Sequence, residues 1–244
     1  MVRLGLVSEI SKEGDIYYNL LQIRKRVAQA KKRGLDLLCF GEAYLHGFDG
    51  LEWIYPQDLS RALSQDGQII HELRSLAREH GVALSLGYIE KEGEDIYSSN
   101  IFLSSGGEIV NNFRRLSPGW KIAEADRRHY REGEDFSVFT YQGKRFATAI
   151  CGDLWYDDHL NRLKTLDFDY LLWPLYIDYS VEEWQIGVKQ EYGKRLRELL
   201  VPTLMINSSS GNKKGARGGC YVFWRGQVLG ELPLGQTGIL EVNL

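Results

Sequence analysis

The stretch Phe146-Ala-Thr-Ala-Ile-Cys-Gly-Asp-Leu-Trp155 carries the side chain best suited to covalent chemistry. A small apolar run, Phe146 to Ile150, reads as a buried strand. It stops abruptly at Cys151-Gly152-Asp153, and a polar, helix-like segment follows from Tyr156 to Leu166. The thiol then sits at the tip of a strand-to-turn corner. Glycine at 152 permits tight backbone geometry beside it. Asp153 can cap the segment that follows, whose backbone N–H groups would favour a thiolate. A buried cysteine acting as a small hydrophobe is the commoner case, so the nucleophile must be judged by its partners. A thiol nucleophile needs a base that takes its proton and returns it to a leaving amine. Of the five histidines, only His46 and His129 fall near loops of functional character. Glu42 is the stronger candidate. It follows Leu37-Leu-Cys-Phe-Gly41, so its carboxyl is carried at the end of a buried strand, where a desolvated carboxylate is a better base. Standing alone, it would read as a solvated loop acid.

The elements that must bring these groups together follow from periodicity. Val2–Val7 reads as a strand. Asp15–Lys32 repeats apolar residues at helical spacing, with Asp15 as N-cap and Gly34 as stop. Leu35–Phe40 is a short apolar run of the kind buried on both faces. Pro56–Ala62 and Gln68–His80 read as helices, the second ending at Gly81. Val82–Ile89 reads as a strand, and Ile96–Leu103 with Glu108–Arg114 as a hairpin around Ser104-Ser105-Gly106-Gly107. Residues 115–135 are polar, aromatic and irregular, a loop long enough to suggest function. Phe136–Tyr141 and Lys144–Ile150 form a second hairpin. Tyr170–Ile177 is a strand interrupted by Pro174, Glu182–Leu200 a helix, and Thr203–Asn207 a strand. Tyr221–Arg225 and Gln227–Leu232 make a hairpin, and Ile239–Val242 is the last strand. Alternating strand–helix units imply helices covering sheets, and the hairpins imply antiparallel edges. Glu42, Cys151, Tyr176-Ile177-Asp178 and Asn207-Ser208 all fall at strand ends that feed loops, where open α/β sheets gather their ligands.

Composition narrows the class. The chain has 244 residues, which suits a single α/β domain over 1–244. Its net charge of −3 leaves no basic footprint for nucleic acid or an anionic membrane. No stretch approaches the roughly 20 apolar residues of a membrane span. The N-terminus lacks the features of a signal peptide. Three widely spaced cysteines (Cys39, Cys151, Cys220) favour neither a disulfide framework nor a zinc knuckle, and point to a reduced, cytoplasmic setting. Asp157-Asp158-His159 is a poor metal site, because adjacent helical residues point apart. The glycine-rich, basic stretch 211–219 lacks a phosphate-loop pattern and reads as a loop beside the active site.

Three ordered segments, Phe40-Gly41-Glu42, Phe113-Arg114-Arg115 and Ile150-Cys151-Gly152-Asp153-Leu154, resemble the motifs of the nitrilase superfamily of carbon–nitrogen hydrolases. Val2–Val7 is similar to the family's first strand and Leu172-Trp173-Pro174 to its strand after the nucleophile. Trp184, Arg197, Asn207 and Gly211 fall where the family tends to place such residues, and Gly218-Gly219-Cys220 resembles its late Gly-Gly-Ser segment. The resemblance implies a four-layer α-β-β-α sandwich and a Glu-Lys-Cys triad. By it, Cys151 attacks a carbonyl or nitrile carbon and Glu42 serves as general base and acid. A lysine stabilises the oxyanion beside the backbone N–H of Gly152. A second glutamate often follows that lysine, and Glu124 is the match. The family usually reads Tyr-Arg-Lys where this chain has Phe113-Arg114-Arg115. Arg115 brings permanent charge and a rigid planar fork, and cannot shuttle protons. Lys121, six residues further on, could supply an ammonium from the same loop. Lys121 is slightly preferred as a spatial substitute, with Arg115 a close second.

Tyr44, His46, Trp120, Tyr176 and Trp184 are candidates to line an acyl pocket, although aromatics are more often core. The expected activity is cofactor-independent, metal-free hydrolysis of a small amide or N-carbamoyl compound. The family habit of dimerising makes a homodimer the expected assembly. A catalytically impaired binding or partner protein, and an acyltransferase using the same cysteine, stay open as alternatives.

Overall fold

The computed structural model describes residues 1–212 and 214–244; Lys213, in the glycine-rich stretch 211–219, lies outside the described residues. Two six-stranded mixed sheets form the centre. The first runs β12-β1-β2-β3-β4-β5 and the second β11-β10-β9-β8-β7-β6. The first is built from β1 (Arg3–Ser8), β2 (Leu37–Cys39), β3 (Ala83–Glu92), β4 (Asp95–Leu103) and β5 (Ile109–Arg114). Its edge strand β12 (Gly238–Asn243) pairs antiparallel with β1 from Arg3↔Asn243 to Ser8↔Gly238. The second contains β6 (Val138–Tyr141), β7 (Lys144–Thr148), β8 (Tyr170–Leu175), β9 (Thr203–Asn207), β10 (Cys220–Trp224) and β11 (Gln227–Leu232).

Each sheet has a parallel core, β1-β2-β3 in one and β7-β8-β9 in the other. Parallel neighbours need crossovers, and helices supply them. In the first half these are α1 (Ile16–Arg33), α2 (Tyr55–Arg61) and α3 (Gln68–His80). The side chain of Asp15 accepts from the Tyr18 N–H at the start of α1, and Gly34 closes it in the left-handed conformation at φ 66°. In the second half they are α4 (Asp157–Lys164) and a longer helical segment in three parts: α5 (Val181–Glu183), a π-helical turn (Trp184–Val188) and α6 (Lys189–Leu196). The unbroken helix expected over Glu182–Leu200 is therefore interrupted by a π-turn and ends four residues early. Periodicity reports which residues are apolar but not a one-residue insertion in the hydrogen-bond ladder.

Three apolar clusters define four layers. Leu4, Leu6, Leu37, Phe102, Phe146, Leu172, Leu204 and Val222 meet between the sheets. Leu20, Ile23 and Val27 of α1 with Leu73 and Ala77 of α3 cover the first sheet. Leu160 and Leu163 of α4 with Tyr192 and Leu196 of α6 cover the second. The order is helices, sheet, sheet, helices, the sandwich implied by the family resemblance. Cys39 and Cys220 are buried between the sheets, where burial pushes both thiols up. Among the described residues no helix is long and apolar enough to cross a membrane.

Candidate active site

The strand ends that close on one another form the site. Glu42 leaves β2, Cys151 leaves β7, Tyr176 leaves β8 and Asn207-Ser208 leave β9. The Leu175 carbonyl accepts from both the Glu42 N–H (3.2 Å) and the Ser208 N–H (3.3 Å), so the two sheets are stitched together at this end. Gly41 makes this approach possible. A Cβ there would lie 2.3 Å from Ser208 Oγ and 2.6 Å from Ser208 N.

Glu42 is buried at 1% exposure. Its Oε1 accepts from Arg115 Nη1 at 2.7 Å and from Ser98 Oγ at 3.2 Å, while Oε2 is enclosed without a hydrogen-bond partner among the described residues. Arg115, 3% exposed, follows β5. Besides Glu42 it bonds Ser117 Oγ through Nε at 2.8 Å. Burial acts to lower the Arg115 pKa, but the Glu42, Cys151 and Asp153 charges outweigh it, and the guanidinium is held firmly protonated.

Cys151 stands at φ +42°, in the left-handed region that a non-glycine residue enters only under strain. It opens a short 3₁₀ turn, Cys151–Trp155. Trp173 Nε1 donates to the Cys151 carbonyl at 3.0 Å, and the sulfur faces the Tyr176 carbonyl at 3.9 Å. Burial first, and the Glu42 charge second, push the thiol up to about 12 against the opposing pull of Arg115. The expectation that neighbouring N–H groups would favour a resting thiolate is thus corrected: desolvation and the Glu42 carboxylate outweigh the turn and the single cation. Glu42 lies within interaction range of this protonated thiol.

Asp153 does not cap α4. Its Oδ2 accepts from the Ile150 N–H (2.8 Å), and its Oδ1 accepts from the Leu116 (3.1 Å) and Ser117 (2.7 Å) N–H groups. It ties the nucleophile turn to the segment carrying Arg115. Burial raises its pKa, against the pull of these donors and of Arg115. Gly152 is needed for clearance: a Cβ there would sit 2.6 Å from Arg115 Nη2 and 3.0 Å from Ser117 Oγ.

The other sequence candidates separate. Lys121 is engaged elsewhere on its loop, donating to the Tyr130 carbonyl at 2.6 Å and pairing with Glu132 at 2.5 Å. The preference for Lys121 over Arg115 gives way to this geometry, because a side chain spent on two loop acceptors is not free to reach the sulfur. Glu124 lies exposed on the same loop. Tyr176 remains at the site, half-buried, its ring stacked on Phe48 at 4.5 Å. Tyr44 is core instead, packed on Phe40 with its hydroxyl donating to the Ile10 carbonyl at 3.2 Å. Trp184 is fully buried against Tyr192 and Tyr221. Trp120, 4% exposed, packs with Trp53 and Tyr130 in an aromatic cluster that includes Ala43. His46 is structural: burial lowers its pKa to about 4, Nδ1 accepts from the Ile89 N–H at 3.1 Å, and Nε2 lies 3.1 Å from the Arg61 carbonyl. Asp157 pairs with Arg195 and His159 Nδ1 meets the Asp153 carbonyl, so neighbours in sequence part in space. Among the described residues no group of three or more acids, histidines or cysteines is placed to hold a metal ion.

Sequence reading missed Ser98 and Ser117. Ser98 begins Ser98-Ser99-Asn100, three polar residues buried in mid-strand on β4, and a polar run inside an apolar strand is the signal that could have marked it. Ser117 carries no comparable signal, since a serine in an irregular loop is ordinary.

Comparison with known proteins identifies the family. The model of the carbon–nitrogen hydrolase family matches residues 4–243, and the chain belongs to that family. It is 27% identical over 168 residues to an aliphatic nitrilase of Rhodococcus rhodochrous, covering 65% of this chain and 41% of that protein. It is 29% identical over 146 residues to a glutamine-dependent NAD(+) synthetase of Thermotoga maritima, covering 58% of this chain and 24% of that one. The chain thus spans well under two thirds of these curated relatives. An amidase from Nesterenkonia sp. superposes with a TM-score of 0.81 over 100% of this chain and 90% of its own, at 21% identity, a likeness of fold.

Proposed function

From membership of the carbon–nitrogen hydrolase family we propose that this chain is a thiol-dependent amidohydrolase acting on a small amide or N-carbamoyl compound. The observation that carries the reading is the buried Glu42–Arg115 pair beside Cys151, with Glu42 Oε2 left without a hydrogen-bond partner among the described residues. An orphaned buried carboxylate oxygen is costly unless a ligand or a transferring proton satisfies it. In the proposed reaction Glu42 takes the thiol proton as sulfur bonds to the substrate carbonyl carbon. The carbonyl oxygen becomes an oxyanion, met by the Gly152 N–H and the Arg115 guanidinium. Collapse of that intermediate breaks the C–N bond, Glu42 passes the proton to the leaving nitrogen, and a Cys151 thioester remains. Glu42 then draws a proton from water as the water oxygen attacks the thioester carbon; the C–S bond breaks, Glu42 returns that proton to the Cys151 sulfur, and the free acid leaves. Arginine keeps its proton throughout, so all proton traffic runs through Glu42. Tyr176 flanks the thiol and forms part of the acyl side of the site.

The test is an ammonia-release screen over small amides and N-carbamoyl compounds, with a mass spectrum of the protein after each incubation. Turnover that Cys151→Ala abolishes, and a transient acyl mass on the intact protein, support the reading. Turnover that survives Cys151→Ala overturns it, as does a panel giving neither ammonia nor adduct.

A further inference from the structure

An arginine in place of a catalytic lysine has two readings: a decayed site, or a site rebuilt around a different cation. The surroundings of Arg115 distinguish them. A decayed position would leave the guanidinium solvated, with no partners prepared for it. Here it is 3% exposed and each part of the fork has a prepared place. Nη1 bonds Glu42 at 2.7 Å. Nε, an N–H that lysine lacks, bonds Ser117 Oγ at 2.8 Å. Nη2 has no acceptor among the described residues and occupies space that two glycines leave clear. A Cβ on Gly152 would lie 2.6 Å from it and a Cβ on Gly119 3.1 Å. Ser117 is itself fixed: it is fully buried, its N–H donates to Asp153 Oδ1 at 2.7 Å, and its hydroxyl helps hold the Asp153 carboxylate ionised. Asp153 in turn holds the Ile150 N–H, one residue before the nucleophile.

We propose that Ser117, anchored by Asp153, is the positioning residue that fits this site to an arginine. It sets the guanidinium plane, so that Nη1 stays on Glu42 while Nη2 stays free for the oxyanion formed at the carbon that Cys151 attacks. Ser117 touches neither substrate nor sulfur in this scheme and acts through Arg115 alone. The proposal rests on the amidohydrolase reading for its catalytic consequence, but the positioning itself is a property of the resting protein.

A double-mutant cycle on the full chain tests it, using wild type, Ser117→Ala, Arg115→Lys and the double variant. Two quantities are read: kcat and KM for an amide found in the screen, and the rate at which iodoacetamide labels Cys151, followed by mass spectrometry. A misplaced guanidinium is expected to cost Ser117→Ala on the order of ten- to a hundredfold in kcat, with KM changed by less than about threefold. Labelling should also slow, because Arg115 favours the thiolate. In the Arg115→Lys background, which has no Nε for Ser117 to hold, Ser117→Ala should cost nothing further in either quantity. Equal losses in both backgrounds overturn the proposal, since a merely structural serine would be felt whatever cation stood at 115. If no amide is turned over but labelling is non-additive, the amidohydrolase reading falls and the positioning role stands. If turnover is present and both quantities are additive, the positioning role falls alone. Should Ser117→Ala fail to fold, Ser117→Cys, close in size but a weak acceptor, runs the same cycle.

Discussion

Removing the guanidinium while leaving its partner is the sharpest probe of the site. In Arg115→Met the side chain keeps much of its apolar bulk, and Glu42, at 1% exposure, loses the cation bonded to it among the described residues. Ser98 Oγ at 3.2 Å would then face a buried carboxylate with no cation bonded to it among the described residues. Breaking one side of a buried ion pair costs about 3–5 kcal/mol, because the other charge stays buried. For a chain of this length that corresponds to a fall in melting temperature of roughly 10 °C. The pair itself is a weaker source of stability than this figure suggests, since the desolvation of both groups offsets much of their attraction. The double variant Arg115→Met/Glu42→Gln should therefore recover a large part of the loss, about 2 kcal/mol or more. Activity should behave differently. Arg115→Met is expected to lose on the order of a hundred- to a thousandfold in kcat/KM, the scale of an oxyanion donor. The double variant should recover none of it, because Glu42 is also the proposed base. Urea denaturation with matched m-values gives the stabilities, and ammonia release gives the rates. An Arg115→Met protein as stable as wild type would refute the buried pair. Recovery of activity together with stability in the double variant would refute the assignment of Glu42 as base.

Three further outcomes follow from single positions. Cys151 at φ +42° carries backbone strain that glycine would not, so Cys151→Gly should be more stable than Cys151→Ala by about 1 kcal/mol while both are inactive; equal urea midpoints would show that the turn is relaxed. Gly152→Ala brings a Cβ within 2.6 Å of Arg115 Nη2, so kcat should fall by at least about tenfold with the fold retained, and an unimpaired variant would mean that Nη2 is free to move aside. His46 has its pKa lowered to about 4 by burial, so its neutral form stabilises the fold above the unfolded value of about 6.5, and that contribution is lost as pH falls toward 4. The loss amounts to about 3 kcal/mol, seen as an acid limb in urea midpoints between pH 6.5 and 4 that should flatten in His46→Gln; an identical limb in that variant would assign it to other groups.

The order of the elements, and the strand ends that carry the two groups proposed to react, were legible in the sequence for a physical reason. Strands and helices announce themselves by the period of their apolar residues, and Glu42 and Cys151 stand where such strands end. Caps were legible as well: Asp15 and Gly34 bound α1 because their side chains and backbone freedom act locally. What the sequence could not decide was every choice made between segments far apart in the chain. Lys121 and Arg115 are equivalent cations on one loop until Tyr130 and Glu132 take the first and Glu42 and Ser117 take the second. Tyr44, Trp184 and His46 look like pocket residues in one dimension, yet burial from all sides makes them core. The thiol's pKa was misjudged for the same reason, since desolvation depends on what packs around the sulfur rather than on the turn it opens. Asp153 appeared to serve the helix after it and instead binds backward and across, to Ile150 and to the segment after Arg115. Local periodicity thus determined the layers and the residue types at their ends. Tertiary packing alone selected which cation faces the acid, and it did so through contacts between residues dozens of positions apart.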